Sequence, residues 1–142
     1  MSRKLVLTVL TVGALALAAS PALAGKGGGG KKPGGGGTTG GASLALVLVN
    51  SPDTVANYGE TVTFAVTTTN TRPYVSVNCY QGGAWVYAAS AGFFPDYPWS
   101  RNFILAASSW PGGAADCTAT LYTTTDGIRT TTLATLNFHV YA

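Results

Sequence analysis

The sequence predicts an all-β protein: a single two-sheet sandwich of about seven strands over residues 43–142, preceded by a signal peptide and a disordered glycine-rich linker. From Ser43 onward apolar residues alternate with polar ones, the period of a strand buried on one face. Clusters of Gly, Pro, Asn and Asp interrupt these runs at short intervals, as they do between strands. Beyond the N-terminal region no segment spaces its apolar residues convincingly as a helix does. About 100 residues suffice for one modest core, and short strands at this spacing bury their apolar faces against one another in two layers.

Residues 1–24 read as a signal peptide. Arg3 and Lys4 precede an uncharged apolar run from Leu5 to Ala19, 15 residues long and shorter than the ~20 a membrane-spanning helix needs. Ser20-Pro21 breaks the run, and Ala22-Leu23-Ala24 places small residues where a signal peptidase reads them, so cleavage is expected after Ala24. No cysteine follows that bond to carry a lipid. The mature chain is therefore expected to be secreted, extracellular and without an integral membrane segment.

Residues 25–42 read as a flexible linker, because eleven of them are glycine and none offers a side chain to a core. Gly25, Gly27 and Gly30 match G-x-G-x-x-G, and Gly25, Gly30 and Lys31 match most of a P-loop. No strand precedes the run and no helix follows it, so its amides are not arranged to hold phosphate, and nucleotide binding is not expected.

The remaining chain contains Arg72, Arg101 and Arg129 against Asp53, Glu60, Asp96, Asp116 and Asp126, three cations against five anions, or −2. The net charge of +3 for the whole chain thus belongs to its N-terminal region. A nucleic-acid partner needs a basic face on the folded part, and none is present.

The strands follow in order. Leu44 to Val49 is a continuous apolar run and reads as a first strand covered on both sides. Val62, Phe64 and Val66 alternate with threonines. Val75, Val77 and Cys79 alternate with Ser76, Asn78 and Tyr80. Trp85-Val86-Tyr87 and Phe103-Ile104-Leu105 are shorter candidates. Cys117, Ala119 and Leu121 share one face of a further strand, and Ile128, Ala134, Leu136, Phe138 and Val140 share one face of the last. Between these two, Asp126-Gly127 is a strong hairpin signal, since a type I′ turn needs positive φ at both central residues.

Gly59-Glu60-Thr61-Val62-Thr63-Phe64 resembles the second strand of bacterial immunoglobulin-like domains, and Ala115-Asp116-Cys117-Thr118-Ala119-Thr120-Leu121-Tyr122 is similar to their penultimate, cysteine-bearing strand. The resemblance, over residues 44–142, implies an immunoglobulin-like sandwich and carries no function with it. The chain departs from the antibody pattern: the second strand lacks a cysteine, Cys79 falls on the next strand, and Trp85 follows it too closely to be the usual core tryptophan.

Cys79 and Cys117 share the parity of their apolar neighbours, so both are expected inward and bonded to each other. A disulfide between positions 38 apart stabilises by roughly 4 kcal/mol on a chain-entropy model. No Cys-x-x-Cys or histidine cluster suggests a metal or redox role, and no cofactor is expected.

Catalysis finds little support. His139, the single histidine, lies on the outward face of the last strand, with no nucleophile signature beside it. The five carboxylates have turn or strand-opening explanations, so a carboxylate pair of the glycosidase kind is not expected. The chain reads as a non-enzyme.

One feature exceeds that background. Nine aromatic residues fall between Tyr80 and Trp110, densest in Phe93-Phe94-Pro95-Asp96-Tyr97-Pro98-Trp99. Two prolines prevent that segment from being a central strand. Two uses fit it: the phenylalanines close one end of the sandwich, or the loop presents rings to a partner. Tyr97 and Trp99, with their polar handles, are the candidate binding residues. The expectation is a monomeric, non-enzymatic extracellular adhesion or interaction module displayed on a flexible tether, meeting a protein or glycan surface. The alternative is a carbohydrate-binding module that grips cell-wall or environmental glycan through the aromatic loop.

Overall fold

The computed structural model describes residues 41–142 together with the strand pairing of Gly37–Thr38; the expected signal peptide and most of the expected linker lie outside the described residues. The strands are β1 (Gly37–Thr38), β2 (Ser43–Val49), β3 (Ala56–Asn57), β4 (Thr61–Thr67), β5 (Tyr74–Gln81), β6 (Ala84–Gly92), β7 (Phe103–Ile104), β8 (Ala115–Thr125) and β9 (Arg129–Tyr141). They form two sheets. The larger runs β1-β9-β8-β5-β6, with β3 parallel to the far end of β9, and the smaller runs β2-β4-β7. Among the described residues no helix is long and apolar enough to cross a membrane.

The inner faces of both sheets share one apolar core, and the period-two pattern chooses its members. Val62 and Phe64 come from β4, Val75, Val77 and Cys79 from β5, Ala119 and Leu121 from β8, and Leu136 and Val140 from β9. Val62, Val75, Val77, Leu105, Leu121 and Val140 are fully enclosed, each worth about 1.5–3 kcal/mol relative to exposure. Trp110 is the core tryptophan, 2% exposed, with its indole N–H donating to the Gly113 carbonyl at 3.1 Å.

Cys79 and Cys117 are bonded, as their parity predicts, and both are buried. They stand directly opposite each other on the neighbouring strands β5 and β8, with Cα atoms 4.1 Å apart. This is the close, non-hydrogen-bonded kind of antiparallel pair. The bond therefore staples two strands of one sheet and does not tie the sheets together.

Three differences from the sequence reading have physical causes. The apolar run of β2 is covered on one side only: Leu44, Leu46 and Leu48 face the core, while Ala45 and Val47 are exposed. As an edge strand, β2 has only β4 beside it, and its full alternation is masked by apolar residues on both faces. Ile128 is 87% exposed at the hairpin tip and is not on the inward face of the last strand. A register shift between Leu121 and Tyr122 inserts Leu133 opposite them and breaks the parity that would have carried Ile128 inward. Finally, Gly37–Thr38, inside the stretch expected to be linker, pairs with Thr135 and Ala134 of β9, and Ala42 is buried at 3%.

The hairpin signal is realised. Asp126 and Gly127 have φ of 57° and 69°, and Ile128 N–H donates to the Thr125 carbonyl at 3.3 Å.

Candidate functional site

The aromatic loop leaves β6 at Gly92 and divides its rings between two tasks. Phe93 N–H donates to the Pro73 carbonyl at 2.8 Å, turning that ring inward, where it stacks on Phe103 at 6.5 Å and meets Phe64 edge-on. Phe94 is buried at 4% beneath the Arg72 guanidinium, which lies 4.7 Å from the ring centroid. Arg72 also reaches Asp96 at 3.2 Å, an exposed pair that by itself contributes at most about 1 kcal/mol. The Phe94 carbonyl accepts from Arg101 at 2.6 Å and from Tyr97 N–H at 3.1 Å, so a tight turn forms over Pro95-Asp96.

The two sequence-predicted binding residues are adjacent but unlike. Trp99 is 72% exposed. Tyr97 is partly buried, lying against Gly92 and meeting Phe94 edge-on at 5.3 Å. Gly92 permits that approach because any Cβ there would fall under 3 Å from both the Phe94 and the Tyr97 rings.

The loop is the end of a longer aromatic line. Tyr122 of β8 stacks on Tyr74 of β5 at 5.7 Å and 24°, and Tyr74 meets Phe94 edge-on at 5.4 Å. Phe94, Tyr97 and Trp99 continue it at 5.3 and 5.4 Å. Five rings thus run from the outer face of the larger sheet to the loop tip. The sequence reading missed Tyr74 and Tyr122, because each is a single outward tyrosine until strand pairing sets them side by side.

The opposite end of that outer face has its own group. The Tyr80 and Trp85 rings face outward on paired positions of β5 and β6, 46% and 56% exposed, and the Trp85 indole nitrogen lies 3.5 Å from the Asn78 side-chain oxygen. Asp116 and His139, paired across β8 and β9, meet at 2.8 Å, and His139 abuts the Tyr141 ring at 4.8 Å. Beside them the Thr118 hydroxyl donates to the Asn137 side-chain oxygen at 2.8 Å. A shallow hollow of about 440 Å³ opens over Tyr80, Asp116, Thr118, Asn137 and His139.

The chain matches no family model, no curated protein and no solved structure.

Proposed function

We propose that this chain is a secreted, non-enzymatic interaction module: an immunoglobulin-like domain on a glycine-rich tether that meets its partner through Trp99, with Tyr97 as support. The fold reading is supported by the strand order β9-β8-β5-β6 facing β2-β4-β7, with β3 crossing to pair parallel with β9. This is the arrangement expected when the first strand of such a sandwich is shared between sheets. The observation that carries the binding reading is the exposure of Trp99, 72%, at the end of a line of packed rings. A large ring so exposed loses apolar contact with nothing gained by folding, whereas docking on a partner surface recovers it. Its edge-on contact with Tyr97 and the fixed φ of the preceding Pro98 lower the ordering cost of binding.

The test is retention of the full chain on immobilised cell-envelope proteins. Trp99→Ala is expected to abolish retention while leaving the melting temperature unchanged. Retention that survives this substitution would place the contact elsewhere.

A further inference from the structure

We propose that the outer face of the larger sheet is a second binding site, which takes a neutral polysaccharide chain laid along β5 and β8. It stands on residues other than Tyr97 and Trp99 and does not need the loop reading to hold. The face has rings at both ends and hydroxyl and amide groups between. Tyr74 and Tyr122 close one end, and Tyr80 and Trp85 the other. The six residue steps from Tyr74 to Tyr80 span about 20 Å of strand, the reach of several linked sugar rings.

Charge selects the occupant. Among the outward side chains of β5 and β8 the only ionisable group besides tyrosine is Asp116, and it is occupied by His139 at 2.8 Å. With no lysine or arginine on these two strands, the face offers nothing to the phosphates of nucleic acid or to an acidic polymer, whose binding depends on cations. Its centre is equally unsuited to an apolar protein patch, because Ser76, Asn78, Thr118 and Thr120 supply groups that both donate and accept. A neutral sugar chain matches all three properties. Its hydroxyls are themselves both donors and acceptors, its ring faces present C–H groups to aromatic planes, and it has no charge to balance. The hollow over Tyr80, Asp116 and His139 gives one sugar a recess beside the Tyr80 ring.

The experiment is native electrophoresis of the full chain through gels containing soluble hydroxyethylcellulose, with polygalacturonate gels as the anionic counterpart. The chain is expected to be retarded by the neutral polymer alone. Trp85→Ala should weaken that retardation by on the order of tenfold, as loss of one anchoring ring does, with Trp85→Phe restoring most of it and Trp99→Ala leaving it intact. Trp85 is more than half exposed, so its loss is expected to leave the melting temperature unchanged. Thr120→Glu is the second variant: it adds a carboxylate at the centre of the face and should abolish retardation. The proposal is overturned if hydroxyethylcellulose does not retard the wild-type chain, if polygalacturonate retards it instead, or if Trp85→Ala and Thr120→Glu run as wild type. Retardation lost with Trp99→Ala and kept with Trp85→Ala also overturns it, and assigns the sugar to the loop.

Discussion

Tyr97 and Trp99 meet edge-on at 5.4 Å and 73°, yet one is wedged against the sheet and the other stands in solvent. The same loop therefore contains both a lid and a projecting ring. The split predicts opposite responses to tryptophan removal at two sites. Trp99→Ala should change stability by less than about 0.5 kcal/mol, while Trp110→Ala, which empties a buried site and strands the Gly113 carbonyl, should cost about 3–5 kcal/mol. Urea denaturation of both variants measures the difference.

Gly92 gives a way to disturb the loop without touching its exposed ring. Gly92→Ala forces the Phe94 and Tyr97 rings aside, an overpacking expected to cost about 1–3 kcal/mol. Retention through Trp99 should fall with it, because Tyr97 is the surface on which Trp99 rests. A variant of unchanged stability and unchanged binding contradicts the close approach described here.

Reducing the Cys79–Cys117 bond, or replacing both residues by alanine, should lower stability by about 4 kcal/mol on the chain-entropy model. The unfolded, unreduced protein should show no free thiol. Because the two strands remain paired through their backbones, the variant is expected to keep its sheet spectrum below a lowered melting temperature.

Two groups with shifted pKa values link stability to pH. The Asp53 carboxyl is held below the ordinary carboxylate value, first by the Val55 backbone N–H at 3.0 Å, then by the Asn57 amide at 3.1 Å. Its contribution is present above the unfolded carboxylate pKa and is lost as pH falls through the lowered one. Burial pushes the Tyr87 hydroxyl above the ordinary tyrosine value. Its contribution is therefore complete below the unfolded tyrosine pKa and is lost as pH rises through the raised one. Denaturant titrations across pH should show Asp53→Asn flattening the acid side and Tyr87→Phe flattening the alkaline side.

The inward residues of β4, β5 and β8 were legible from sequence because each strand is polar on its outer face, so alternation alone assigned Val62, Cys79 and Leu121. The pairing of Cys79 with Cys117 followed from the same parity. In β2 apolar residues occupy both faces, which hides that it lies at an edge. Ile128 misled because one extra residue in the β8–β9 register reverses parity along the hairpin, and nothing local to Ile128 records it. At the candidate site Trp99 was legible as an aromatic directly after Pro98, at the end of a proline-stiffened run. The outer face was not, since Tyr74 and Tyr122 are 48 positions apart and become neighbours only through pairing of β5 with β8.

The disulfide closes a loop of the chain that contains β6, β7 and the aromatic segment, and so encloses both Trp85 and Trp99. The flanking stretches, 41–78 and 118–142, have no disulfide cross-link. Pulled from its two ends, the domain should lengthen by unravelling those flanks, while the closed loop withholds roughly 130 Å of contour, the extended reach of the residues it encloses. Addition of reductant in a single-molecule stretching measurement should release that length as an extra step. The two exposed tryptophans thus sit in the part of the chain that tension reaches last.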